Sequence, residues 1–302
     1  MEEVREVQNI WSAETWRALR SVRGIVLLAL YFFFSAVVLL VVGWITQAGS
    51  AQLSSQGVSA DQMGEVAVKA KEALLAGLFG ADKELVEALG KLPLVIPIVF
   101  KVTLFFLPAY VVLMGFDQLS GEIEPRSIRY LAIRARRSSI LIGKYLSQAT
   151  VLTGLILVVD TLIFAYARLI NPEFGAAVLF PALLRFWIAG AVFSFSYVAL
   201  TTLCSALFSM PAVSLIFNFF TLFAFWLVDT VGGWIASYAQ AAGGEGASRP
   251  WASYVSYLSP SAYSTNLVHP NLAPFAVSVA AYAVFAAVFL LAGYAALRSR
   301  DL

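Results

Sequence analysis

The chain has 302 residues, of which 60% are hydrophobic and only 13% are charged. Soluble domains carry about 25% charged residues, so this composition excludes an ordinary soluble domain and is typical of a membrane protein. The formal net charge is +2, and the single Cys204 excludes an internal disulfide. The fold class that follows is an all-α integral membrane protein.

Residues 1–24 precede the first long apolar stretch and predict an amphipathic helix at the membrane interface. Trp11 lies among apolar residues that recur on one side at helical spacing. Glu14 projects from that same apolar side, so we expect it to meet a basic partner. The alternative is a solvated helix end.

Six stretches are long and apolar enough to cross a membrane, because about 20 residues of helix span the hydrocarbon core. They cover residues 25–46, 93–115, 140–169, 178–209, 212–231 and 273–297. A six-span transmembrane domain would therefore occupy residues 25–302. Only Met210 and Pro211 separate the fourth span from the fifth, which predicts a tight hairpin.

An even number of spans places both termini on the same side of the membrane. That side holds most of the basic residues: Arg5, Arg17, Arg20, Arg23, the run from Arg126 to Lys144, Arg298 and Arg300. Because basic residues accumulate in cytoplasmic loops, we expect both termini and the loop 116–139 in the cytoplasm, with the protein in the cell membrane.

Two longer segments fall on the opposite, external side. Residues 48–92 predict a helical insertion that follows a flexible run from 47 to 60, with Asp82 as the N-cap of a short helix ending at Gly90. Residues 232–272 predict one or two interfacial or re-entrant helices, since they carry the interfacial aromatic residues Trp251, Tyr254, Tyr257 and Tyr263. His269 is the only histidine and is expected in a loop turn.

Three ionisable residues fall at similar depth in the outer half of the spans: Lys101, Asp160 and Arg185. An ionisable group at bilayer depth costs roughly 2.5–3.5 kcal/mol on insertion scales, so each needs a partner or an aqueous cavity. We expect Asp160 to pair with Arg185 or Lys101. Such a charge network would either order the helices or contact a substrate.

The last span carries a stripe of small residues at helical spacing: Ala276, Ala280, Ala283 and Ala287. Small residues allow another helix to approach closely. The stripe favours packing within the subunit, with a seam between two copies as the alternative.

The motifs of nucleotide hydrolysis and metalloprotease chemistry are missing from the sequence. Gly143-Lys144 is followed by Tyr145 and lacks the glycine spacing of a phosphate-binding loop, and one histidine cannot form an H-E-x-x-H site. The sequence therefore predicts a transporter subunit without its own ATPase site, with no metal site and no nucleic-acid partner.

The stretch SGEIEPRSIRYLAIRARRSSILIGKYL, residues 120–146, gathers arginines in an otherwise apolar chain. It resembles the cytoplasmic loop of ATP-binding cassette (ABC) exporter permeases of the type-2 class. Arg126 replaces the usual glycine of that family, and Arg134-Ala135 stands where Pro-Val is frequent. The matching positions are Ser120, Gly121, Glu122, Ser127, Ile128, Arg137, Gly143 and Lys144.

The resemblance implies a half-transporter, in which two permease copies assemble with two separate ATP-binding subunits that hold ATP and magnesium. The loop would carry a coupling helix that docks on the ATPase subunit. We expect the ATPase contacts to be Glu122, Glu124, Arg126 and Arg129. The arginines nearest the third span are expected to hold membrane lipid instead: Arg134, Arg136 and Arg137.

A second hypothesis is an ATP-independent secondary transporter or membrane scaffold that uses Lys101, Asp160 and Arg185. The sequence has no visible internal repeat and no clearly broken pair of spans, which are common in secondary transporters. An ABC ATPase that is encoded beside this chain or copurifies with it would separate the two hypotheses.

Overall fold

The computed structural model describes residues 2–55, 60–80, 82–242 and 257–300. These residues form an all-α protein, as composition predicts. Its helices are α1 (Glu2–Arg20), α2 (Val22–Ser55), α3 (Ala60–Phe79), α4 (Lys83–Gly90), α5 (Val95–Gly115), α6 (Ser120–Ile123), α7 (Ile128–Ala132), α8 (Arg137–Ile170), α9 (Ala176–Leu207), α10 (Pro211–Ala242) and α11 (Leu272–Arg298). Two short 3₁₀ helices, Pro260–Tyr263 and Thr265–Val268, precede α11.

Six helices are long and apolar enough to cross a membrane, which confirms the predicted number of spans: α2, α5, α8, α9, α10 and α11. The hairpin between α9 and α10 is confirmed, since α9 ends at Leu207 and α10 begins at Pro211. The prediction of a flexible run over residues 47–60 was wrong for residues 47–55, because α2 continues to Ser55. Loss of hydropathy ends a span, but without a proline it need not end the helix.

The fifth span also extends beyond its apolar stretch, because α10 continues to Ala242. The interfacial residues Trp251 and Tyr254 lie outside the described residues. Tyr257 and Tyr263 lie within them, with ring centroids 6.1 Å apart.

Helix α9 is the centre of the bundle, because it contacts α5, α8, α10 and α11. Small side chains allow these contacts to be close. A Cβ atom at Gly293 of α11 would lie only 3.3 Å from the Cα of Leu203 in α9. Near the middle of the pair, Phe193 and Tyr282 bring their ring centroids to 5.7 Å.

The alanine stripe of α11 does not pack within the subunit. Its four alanines are exposed, whereas the buried face of the helix is formed by Ser278, Tyr282, Ala286, Gly293 and Leu297. The intrasubunit prediction was therefore wrong, because a different face of the helix, with Tyr282 and Gly293, makes the contact with α9. The seam between two copies stays a prediction.

The N-terminal helix, the loop between α5 and α8, and the C-terminal end of α11 meet at one end of the bundle. Arg137 joins two of them, since its Nη1 donates to the carbonyl oxygens of Leu297 at 3.1 Å and Arg298 at 2.7 Å. We call this end, which comprises residues 2–21, 116–139 and 295–300, the basic end.

The opposite end carries α3, α4 and the segment 257–271, and we call it the cap end. Asp82 caps α4 as predicted, accepting from the backbone N–H of Glu84 at 3.0 Å. Its other carboxylate oxygen lies 3.2 Å from Nε2 of His269. Because Nδ1 of His269 accepts the N–H of Asn271 at 3.0 Å, Nε2 carries the proton and donates to Asp82. This bond attaches the insertion to the segment before α11.

We expect Asp82→Ala to loosen α4, because the helix loses both its N-cap and its bond to His269. Hydrogen exchange of the α4 amides should become faster. Glu87→Ala is the matched control, since Glu87 pairs only with Lys91 at the surface of the same helix. Equal exchange in the two variants would contradict the attachment.

The bond to His269, followed by the backbone N–H groups of α4, holds the pKa of Asp82 below its ordinary value. A carboxylate with a lowered pKa stabilises the folded state above its ordinary pKa of about 3.9 and loses that contribution as the pH falls through the lowered value. The exchange difference between wild type and Asp82→Ala should therefore persist from pH 8 to pH 5.

Candidate functional site

Helix α1 packs directly against the first half of α8, and a glycine permits the contact. A Cβ atom at Gly143 would lie 2.8 Å from the Cβ of Ile10 and 3.3 Å from the carbonyl oxygen of Val7. Nearby, Nε1 of Trp11 donates to Oγ1 of Thr150 at 3.0 Å. The amphipathic helix is thus attached to α8 by specific contacts.

Lys144, the residue after this glycine, is buried and joins three separate elements. Its Nζ lies 2.8 Å from Oε1 of Glu14 in α1 and 2.7 Å from Oε1 of Glu122 in α6. Arg17 of α1 lies 3.6 Å from the same oxygen of Glu122. We call these four residues the Lys144 clasp. Its two acids and two bases balance, which is what burial of charge requires.

The end of α5 is tied to α8 beside the clasp by two glutamines. Gln118 donates its side-chain N–H to the carbonyl oxygen of Lys144, and its Oε1 accepts from Oγ1 of Thr202 in α9 at 3.3 Å. Gln148 of α8 donates to the carbonyl oxygen of Val111 at 3.2 Å. Both glutamines line a cavity of about 330 Å³ that the clasp also borders.

The start of α6 is fixed to the bundle by a serine of α9. Oγ of Ser205 accepts the backbone N–H of Leu119 at 2.8 Å and that of Ser120 at 3.0 Å. These N–H groups belong to a first helical turn and have no partner within their own helix. Ser205 of α9 therefore holds the start of α6, and Lys144 of α8 holds Glu122 of the same helix.

Beyond α6 the loop projects as a short helix, α7, which is anchored chiefly by one buried residue. Ile128 is buried against Ile140 and Leu297, in the hydrophobic cluster beneath the loop. By contrast, Tyr130 and Ile133 are 78% and 82% exposed. We call the projecting residues 124–133 the loop tip.

The turn into α7 places a non-glycine residue in the left-handed region. Arg126 has a φ angle of 60°. It stands where the loop of type-2 ABC exporter permeases, which this loop resembles, usually has glycine. A left-handed conformation costs a residue with a Cβ atom about 1–2 kcal/mol. Oγ of Ser127 donates to the carbonyl oxygen of Glu122 at 3.2 Å and closes the turn.

The structure divides the residues predicted to contact an ATPase. Glu124, Arg126 and Arg129 are exposed on the loop tip. Glu122 is not on that surface, because its side chain is only 20% exposed and its carboxylate binds Lys144. Its carboxylate is therefore engaged within the chain, and an ATPase contact by Glu122 stays a prediction.

Glu14 meets a basic partner as its position on an apolar face predicts, but sequence reasoning missed that the partner is Lys144. The available signal was a lysine one to two turns inside the third span, at the same membrane depth as two acids near the interface. It also missed Tyr130 and Ile133, two large apolar residues between arginines.

The predicted network of Lys101, Asp160 and Arg185 is not formed, since no ion pair joins any two of them. Lys101 lies with its Nζ 5.3 Å from the ring centroid of Phe79, and Arg185 donates to the carbonyl oxygen of His269. Asp160 is buried, and its Oδ2 has no hydrogen-bond partner among the described residues. Equal depth in the membrane does not place residues on facing sides of their helices.

A bundle of six membrane-length helices, with a projecting loop clasped to its basic end, defines a polytopic membrane protein. The chain belongs to the ABC-2 family of transporter proteins, whose family model matches residues 8–302. It is therefore a membrane permease of an ABC transporter. A search of curated proteins found no match for the chain.

We expect Gly143→Ala to separate α1 from α8, because the new methyl group would overlap Ile10. Overpacking of this kind costs about 1–3 kcal/mol, and hydrogen exchange of the α1 amides should accelerate. Gly154→Ala is the control on the same helix: its Cβ would meet nothing within 4 Å, so it should gain about 1 kcal/mol in helix propensity. Stabilisation by both variants would disprove the close contact.

We expect Lys144→Met to lower the free energy of unfolding by about 3–5 kcal/mol, because two partly buried carboxylates then have only the largely exposed Arg17 as a nearby cation. Thermal unfolding of the purified chain in detergent measures the loss. Lys91→Met, which removes an exposed lysine, should change stability by no more than about 0.5 kcal/mol.

The triple variant Glu14→Gln, Glu122→Gln, Lys144→Met should recover most of that stability, since the one clasp charge that remains is Arg17, whose side chain is 71% exposed to solvent. If it were as unstable as Lys144→Met alone, Lys144 would contribute through packing, and the clasp would not be electrostatic.

Proposed function

We propose that this chain is the membrane-spanning permease subunit of an ABC exporter. In this proposal, it couples ATP hydrolysis by a separate nucleotide-binding subunit to outward movement of a substrate or its extraction from the membrane. Membership of the ABC-2 family supports the transporter class. The observation that supports the coupling is the position of the loop tip. It is exposed beyond the membrane-length helices, and the residues before it are attached to α8 and α9.

The surface of the loop tip suits a protein partner. Tyr130 and Ile133 offer apolar area that no other part of the described chain covers, and tyrosine and arginine are enriched at the energetic centres of interfaces. Arg126 and Arg129 add charge that would steer an oppositely charged groove toward the tip. The ATPase subunit would hold ATP and magnesium.

The attachment behind the tip supports transmission of motion into the membrane. Ile128 of the loop is buried in the hydrophobic cluster at the basic end. Ser205 fixes the start of α6 to α9, and Lys144 ties Glu122 to α8. A displacement of the tip would therefore move α8 and α9 together with α1. Rigid-body movement of packed helices is a common way of switching between two arrangements.

A second copy of the chain would complete the transporter. The exposed alanine stripe of α11 and the apolar face of α10, with Phe220 and Trp234 exposed, are candidate surfaces for that contact. The basic end would face the cytoplasm of a cell membrane, since basic residues concentrate there. The ATP-independent alternative gains no support, because its charge network is not formed.

The test is whether an ABC ATPase, encoded beside this chain or coexpressed with it, copurifies with it from membranes. Tyr130→Ala and Ile133→Asp should each weaken assembly, by roughly 30-fold or more if they lie at the centre of the interface. The double variant Arg126→Glu, Arg129→Glu should also weaken assembly. The loss should be larger at low salt than at high salt, because salt screens the contribution of these charges to binding.

Two controls separate docking from folding. Arg5→Glu with Arg20→Glu reverses two exposed charges on α1 and should leave assembly unchanged. Arg126→Gly removes the charge but favours the left-handed turn, so it should reduce assembly without reducing thermal stability. Normal assembly of all loop-tip variants would refute the proposal.

A further inference from the structure

An apolar groove lies between α8 and α11 at the basic end, apart from the cavity beside the clasp. Its volume is about 410 Å³. Leu141 and Ile142 of α8 form one wall, and Ala287, Leu290 and Tyr294 of α11 form the other. Ala287 belongs to the exposed alanine stripe, and its small side chain leaves the space open.

The groove is exposed on two helices of membrane length, so its natural surroundings are lipid chains. Ile142 and Leu291 are exposed on its rim, and Ser138, in the first turn of α8, marks its end toward the basic end. An acyl chain is the occupant that such a surface favours, because each CH₂ group that it buries adds to the binding.

The arginines near this end of α8 and α11 are not equivalent, because several are already bound within the chain. Arg137 donates to carbonyl oxygens at the end of α11, Arg136 pairs with Glu3, and Arg300 donates to the carbonyl oxygen of Leu207. Arg134 and Arg298 remain exposed, and neither forms an ion pair within the described ranges.

Chain position brings two of the exposed arginines toward the end of the groove. Arg298 follows Tyr294 by four residues on the same face of α11, and side chains of a helix lean toward its N-terminus, which here is the direction of the groove. Arg134 lies four residues before Ser138, which lines the end of the groove. These two arginines are therefore the cations that we assign to that end.

We propose that this groove binds an anionic phospholipid, with an acyl chain between α8 and α11 and the phosphate group between Arg134 and Arg298. Two acids of α1, Glu3 and Glu6, are already engaged by the side chain and the backbone N–H of Arg136. Guanidinium groups bind phosphate oxygens in bidentate geometry. A bound lipid would reinforce the contact between α8 and α11 that supports the loop tip. This lipid site is separate from the proposed coupling to an ATPase.

Native mass spectrometry of the full chain, with phosphatidylglycerol and phosphatidylcholine of identical acyl chains, tests the proposal. Wild type should retain phosphatidylglycerol preferentially. Each basic residue near a membrane surface contributes about fivefold to binding of anionic lipid, so Arg134→Gln with Arg298→Gln should reduce the preference roughly 25-fold. Arg5→Gln with Arg20→Gln, which removes two arginines from α1, should leave it unchanged.

A second variant tests the groove separately from the charges. Ala287→Trp fills the groove and should abolish tight retention of both lipids, whereas Ala276→Trp, on the same stripe but outside the groove, should not. Equal retention of the two lipids by wild type, equal effects of the two arginine pairs, or undiminished binding by Ala287→Trp would each overturn the proposal.

Discussion

The burial of Lys144 is the constraint on which the basic end depends. An ammonium group inside an apolar bundle needs opposite charge close by, and here the two carboxylates come from different elements, Glu14 of α1 and Glu122 of α6. One lysine therefore holds the interfacial helix against α8 and folds the loop back toward the membrane. Gly143 follows from the same requirement, because α1 reaches Lys144 only if the preceding residue has no side chain.

Much of the fold could be predicted from the sequence, because hydropathy over about 20 residues identifies helices that cross a membrane. Asp82 and Pro211 marked helix beginnings correctly for reasons that are local to the chain. The ends of α2 and α10 were harder to place, since a helix leaving the membrane needs only its own backbone hydrogen bonds to continue. The extra turns to Ser55 and Ala242 carry no signal in hydropathy.

The candidate site was less predictable, because it depends on which helix faces meet. Lys101, Asp160 and Arg185 share a depth but not a facing side, whereas Lys144 and Glu14 are 130 positions apart and still bind. The family resemblance located Gly143-Lys144 and the loop without stating that Glu122 is bound within the chain. Glu122 differs from Arg126 and Arg129 in the exposure of its side chain. That exposure is known only once the helices are packed.

The order of the clasp residues along the chain bears on how the protein is made. Both acids precede Lys144, Glu14 by 130 positions and Glu122 by 22. During synthesis, the two carboxylates therefore leave the ribosome before the lysine. When α8 enters the membrane, its costly cation finds counter-charges that are already in place, and none of its partners has to wait for α9, α10 or α11. The Lys144 clasp is in this sense assembled by the first half of the chain.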